Sequence, residues 1–143
     1  MIFQGDMIMT NEDRIKNLEE ENETLRERID LIEFKFELLF DNSESCRYFI
    51  ERNFTRQQYN AVMDLMDELR TKLEKKEEIS SMEYESKITR IKKDCDYHDA
   101  EIIAKLFMEE GRWEEVFPAL YGDSIKYKSY LERRNQGGNS FAD

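Results

Sequence analysis

His98 is the single histidine of the chain, and the run Cys95-Asp96-Tyr97-His98 sets a thiol and an imidazole three residues apart, with Asp94 and Asp99 alongside. Thiolate, imidazole and carboxylate are the groups that bind zinc, but a structural site takes four such ligands and a catalytic site three with an open position. A lone Cys-x-x-His pair falls short of either. The simpler expectation is a polar helix start, capped by Asp96 or Asp99. Nucleophilic catalysis needs a base held beside the nucleophile by a third group. One histidine and two cysteines far apart in sequence, Cys46 and Cys95, do not form that pattern. Carboxylate pairs occur on any acidic helical surface, and the one Gly-Gly step, Gly137-Gly138, lies near the chain end and not in a phosphate-cradling loop. No enzymatic activity, metal or cofactor is expected.

A second chemical candidate is the stretch Lys126-Tyr127-Lys128-Ser129-Tyr130-Leu131-Glu132-Arg133-Arg134, locally basic with interleaved aromatics. Such a segment can grip phosphates and stack bases, which makes Lys126, Tyr127, Lys128, Tyr130, Arg133 and Arg134 candidate partner-binding residues. The alternative, which we favour, is docking on the acidic body of a neighbouring subunit. The net charge of −11 argues against nucleic acid as the general partner. It keeps an oligomer soluble and suits a basic protein partner.

The elements that carry these residues are helices. Charged residues make up 38% of the chain and hydrophobic ones 39%, with one Pro and five Gly, a balance that suits long helices better than sheets. Nine Phe, seven Tyr and one Trp exclude a disordered chain. No apolar run approaches the ~20 residues of a membrane span. MIFQGDMIM lacks the basic and apolar regions of a signal peptide. Two isolated thiols fit a reducing cytoplasm. Met1, Met7 and Met9 precede the first helix signal, so residues 1–6 are expected to be dispensable.

The strongest pattern follows Thr10, which with Asp13 forms a capping signal. Taking Ile15 as heptad position a, the a residues are Ile15, Asn22, Ile29 and Phe36, and the d residues are Leu18, Leu25, Ile32 and Leu39. This row is the signature of a coiled coil. In a parallel pair, a g residue faces the e residue of the next heptad on the neighbouring chain. Those pairs are Arg14 with Glu19, Glu21 with Arg26, and Arg28 with Glu33, all opposite in sign. Asn22 at an a position argues for two strands. Arg14-Ile15-x-x-Leu18-Glu19, Arg28-Ile29-x-x-Ile32-Glu33 and Ile at both a and d argue for three. A parallel homotrimer is favoured over a dimer.

Beyond the seam the apolar face widens to include Leu31, Phe34, Leu38 and Phe40, where the coil is expected to merge with a globular part. Asp41-Asn42-Ser43 is a break. A short helix over Ser45–Asn53 follows, then one opened by Thr55 and Gln58. The next is opened by Ser80 and Ser81, with Met82, Tyr84, Ile88 and Ile91 facing inward. A further helix starts at Asp96–Asp99, carries the stripe Ile102, Ile103, Leu106 and Phe107, and ends at Gly111. A last short helical stretch holds Trp113, Val116, Phe117, Leu120 and Tyr121, with Pro118 inside it. Past Arg134, Asn135 to Ser140 reads as a mobile tail. The expected organisation is a disordered start (1–9), an oligomerisation coil (10–40), a helical bundle (41–121) and a C-terminal extension (122–143).

A coil containing Arg-Ile-x-x-Leu-Glu, a helix built on Gln58-Tyr59-Asn60-Ala61-Val62-Met63-Asp64-Leu65-Met66-Asp67-Glu68 and a closing acidic-Gly-aromatic segment together resemble the YhaI-like proteins of Bacillus and related bacteria. These are uncharacterised small helical proteins that also occur in phages. The resemblance spans roughly Asp13 to Tyr121 and implies an all-α fold with intertwined subunits and no catalytic residues. The chain departs from the family in a longer coil and an added segment after Tyr121. The expected function is a cytoplasmic, non-catalytic homo-oligomer that binds another protein, and for a phage-borne gene an inhibitor of a host defence or regulatory protein. The alternative is a nucleic-acid or nucleotide-ligand binder acting through the basic C-terminal segment.

Overall fold

A computed structural model describes residues 9–140 of the 143-residue chain; the expected disordered start falls almost wholly outside the described residues. Those residues form seven α-helices and no strand: α1 (Asn11–Asp41), α2 (Glu44–Glu51), α3 (Arg56–Glu74), α4 (Ser81–Ile91), α5 (Tyr97–Glu109), α6 (Val116–Tyr121) and α7 (Ile125–Ser140).

Local chemistry fixes most of the boundaries. Thr10, Thr55 and Asp96 each close a capping box with the residue three positions on (Asp13, Gln58 and Asp99), so orphan N–H groups at three helix starts are satisfied by side chains. Ser43 and Ser80 cap α2 and α4 with their hydroxyls. Asn42 ends α1 in the left-handed region at φ 58°, a conformation that Asn tolerates better than most residues. Gly111, at φ 76°, turns the chain out of α5. Pro118 sits in the first turn of α6, where its missing N–H costs no helical bond.

The core is built around α5, which packs against α2, α4 and α6. Its buried residues are Ala100, Ile103, Ala104, Phe107 and Met108, together with Asp99 and Glu101. The two alanines let α4 come close enough for the Tyr84 hydroxyl to donate to the Ala100 carbonyl at 2.7 Å. This sets the rotation of α5. Ile102 is exposed and Leu106 only half-buried, because their row lies about 100° round the helix from the Ile103–Phe107 row. Met82 is likewise 78% exposed, not inward, since it lies about 200° round α4 from Tyr84. Met66 and Met108 fill the core as packing residues, while Met63 is half-buried. Phe49 anchors an aromatic cluster, its ring centroid 4.8 Å from Phe54, 5.1 Å from Tyr59 and 5.9 Å from Phe107. Ser45 ties the start of α2 to the end of α5, its N–H and hydroxyl donating to the Glu110 carboxylate at 2.8 and 2.7 Å.

The core does not stop at Tyr121. Tyr127 and Leu131 of α7 are buried within it, so the segment that reads as an extension is part of the body. The α7 backbone also stays helical to Ser140, where the Asn135–Ser140 composition reads as a chain end without regular structure. Two glycines there weaken a helix by about 1 kcal/mol each, and no proline interrupts it.

Candidate assembly interface

Helix α1 is 31 residues long, about 46 Å at the α-helical rise. Residues 9–30 are all exposed, so its first five turns stand clear of the body. Attachment comes at the far end. Phe34 and Leu38, at heptad positions f and c, are buried to 2% and 5% exposure. The Phe34 ring packs edge-on against Tyr59 at 5.2 Å and under the Arg56 guanidinium. Arg56 also grips Glu37 with two hydrogen bonds, at 2.8 and 3.2 Å. The Lys35 ammonium donates to Asn53 at 2.6 Å.

The a and d residues lie on the other side of the helix. Ile15, Leu18, Leu25, Ile29, Ile32, Phe36 and Leu39 are between 51% and 66% exposed, and Asn22 is exposed among them. At 100° per residue, the Phe34–Leu38 row and the Ile32–Phe36–Leu39 row face nearly opposite directions. One face of α1 is used within the subunit and the other is left open along its whole length. Scattered apolar residues on a surface are ordinary, but here seven lie in one row on one face, with Asn22 among them, and form an exposed apolar stripe. Among the described residues, Arg14, Glu19, Glu21, Arg26, Arg28 and Glu33 make no ion pair within the subunit.

The basic C-terminal residues are placed quite differently. Lys126 and the Tyr127 hydroxyl both donate to the buried Glu101 carboxylate, at 3.0 and 2.7 Å. Tyr130 donates to Glu109 at 2.7 Å, and burial with that contact pushes its phenol up to about 12. Lys105 lies over the Tyr130 ring, and Arg134 donates to the Met108 carbonyl at 3.0 Å. Within the subunit, Lys126, Tyr127 and Tyr130 of this segment dock on acidic residues of their own body, Glu101 and Glu109. The segment's aromatic faces are occupied, which leaves Lys128, Arg133 and Arg134 as exposed cations without an acidic partner among the described residues.

The Cys95–His98 region is a helix start. Asp96 accepts the N–H groups of His98 and Asp99 at 3.0 and 3.2 Å, and the exposed His98 ring lies against Tyr97. Among the described residues no three His, Cys, Asp or Glu side chains come together as metal ligands. Cys46 and Cys95 are free and buried, and burial pushes both thiols up, away from the reactive thiolate. Sequence reading gives Asp99 a capping role or a place beside the Cys-x-x-His pair, whereas the structure also makes it the acceptor for Tyr48 and for Arg52 at 3.0 Å. Nothing local marks those partners, which come from α2 and its C-cap. Arg52 Nε lies 2.9 Å from the same carboxylate but off hydrogen-bonding geometry, a charge contact without a directed bond.

Burial raises the Asp99 carboxyl, but hydrogen bonds from Tyr48 and the Asp96 N–H, with the Arg52 charge, outweigh it and hold it below its ordinary 3.8. A carboxyl depressed in the folded state stabilises at pH above its unfolded value, and that contribution is lost as pH falls through the folded one. Thermal unfolding from neutral pH to about pH 2 is therefore expected to show an acid decline that Asp99→Asn flattens, with a lower midpoint at neutral pH.

Comparison with protein-family models, with curated proteins and with solved structures finds no match to this chain.

Proposed function

We propose that this protein is a non-catalytic homo-oligomeric interaction protein. In this reading α1 of three copies forms a parallel coiled coil, with each body on the outside, at the C-terminal end of the coil. The observation that carries it is the open a/d row of α1, held apart from the face that docks on the body. The charges beside the row agree with it. Among the described residues Arg14 and Glu19, Glu21 and Arg26, and Arg28 and Glu33 make no ion pair, and in a parallel coil a neighbour supplies each with an opposite charge.

Such an assembly presents one epitope per subunit on a strongly acidic surface. It suits a basic macromolecular partner, with electrostatics steering the encounter and multivalency adding avidity. The family resemblance allows a phage origin, and inhibition of a host defence or regulatory protein is then the sharpest form of the proposal.

The test compares the natural chain with a single-subunit variant, Leu25→Asp with Ile32→Asp, immobilised at equal subunit density and exposed to a lysate of the source cells. The expected result is one stoichiometric protein retained by the natural chain and held on the order of a hundredfold more weakly by the variant. Equal retention by both, or retention of nucleic acid that is released by salt, contradicts the proposal.

A further inference from the structure

The three charged rungs of the coil have a fourth below them of different chemistry. The next g residue is Lys35 and the e residue it would face on a neighbouring copy is Phe40. Two features of the subunit show how this rung is built. The Lys35 ammonium donates to Asn53, just past the C-terminus of α2, so its charge is engaged within the subunit while the residue stays only half-buried. Phe40 is 85% exposed, more than any a or d residue, on a turn where Leu38 is already buried in the body. A large ring that its own subunit leaves almost wholly in water, one position outside the seam, is matched to an aliphatic stem whose charge is held elsewhere.

Resting on the parallel-coil reading, we propose that Phe40 of each copy packs against the Lys35 stem of the next. The occupant of this surface is thus a second copy of the same chain. The contact ties the coil to the neighbour's body as well as to the neighbour's helix, because Lys35 is itself anchored at Asn53. It closes the base of the assembly with an apolar ring where the upper rungs are ionic. Orientation of the bodies about the coil is set there, and with it the geometry in which the acidic surfaces are presented.

The test uses full-length chains and sedimentation equilibrium. Phe40→Ala is expected to raise the dissociation constant of the assembly at least about tenfold, as loss of a buried ring does. Lys35→Met, which keeps the stem and removes the charge, is expected to leave it within about twofold, and Lys35→Ser to raise it by about the Phe40→Ala factor. Because Phe40 is exposed in the subunit, its replacement leaves the body folded. As a second measurement, mixed chains carrying Lys35→Cys and Phe40→Cys are treated with a short bismaleimide. Cross-links between the two chain types are expected, and none with Glu27→Cys on the outer face in place of Phe40→Cys. An assembly that forms normally but ignores Phe40→Ala, or gives no such cross-link, overturns this contact and leaves the coil standing. A natural chain that sediments as one subunit overturns both.

Discussion

Leu25→Asp combined with Ile32→Asp is expected to yield a folded single subunit of 17.3 kDa. Both side chains are more than half exposed within the subunit, so the body loses no packing. In a parallel coil each substitution places like carboxylates together in a d layer, and a buried, unpaired charge costs several kcal/mol. Lost burial of Leu or Ile adds about 1.5–3 kcal/mol per side chain. Together these exceed what a coil of four heptads can absorb. The first five turns of α1 are exposed throughout, and a helix that packs on nothing loses the contact of its apolar face, which supplies most helical stability in proteins. Helical signal is therefore expected to fall in the far ultraviolet while the near-ultraviolet signal of the buried aromatics persists. Glu20→Ala and Glu27→Ala, on the outer face, serve as controls and are expected to leave the mass unchanged.

Phe34→Ala and Phe36→Ala, two residues apart, are expected to fail in different ways. Phe34 is 2% exposed against Tyr59 and Arg56, and its truncation is expected to cost the body about 3–5 kcal/mol. In a chain of this size that corresponds to roughly 10–20 °C in the unfolding midpoint. Phe36 is 66% exposed on the opposite side. Its truncation is expected to weaken assembly and to leave the body untouched. The two effects separate in the single-subunit background, where Phe34→Ala still lowers the midpoint and Phe36→Ala does not. Equal effects there contradict the division of α1 into an inward and an outward face.

That division was only half legible in the residues. The heptad row from Ile15 to Leu39 follows from spacing alone, and so do the capping boxes at Thr10, Thr55 and Asp96, because all three are local patterns. The widening at Phe34, Leu38 and Phe40 signals a second contact. It does not say that Phe34 and Leu38 go inward while Phe40 stays out, since that depends on where α2 and α3 lie. The rotation of α5 was hidden for a related reason. Ile102 and Leu106 look as apolar as Ile103 and Phe107, and what decides between the rows is the close approach of Tyr84 at Ala100. The C-terminal segment shows the same limit. Lys126, Tyr127 and Tyr130 read as a binding surface, but they answer carboxylates far away in sequence, Glu101 and Glu109, that only the folded chain brings beneath them. Phe40 is the reverse case, plain in the sequence but meaningful only once the structure leaves it in water.

Light scattering on the natural chain at low micromolar concentration tests the central claim most directly, because no substitution or partner is involved. The expected mass is three times the 17.3 kDa subunit. Twice that subunit would keep the seam and correct the number of strands. The mass of one subunit would contradict the account.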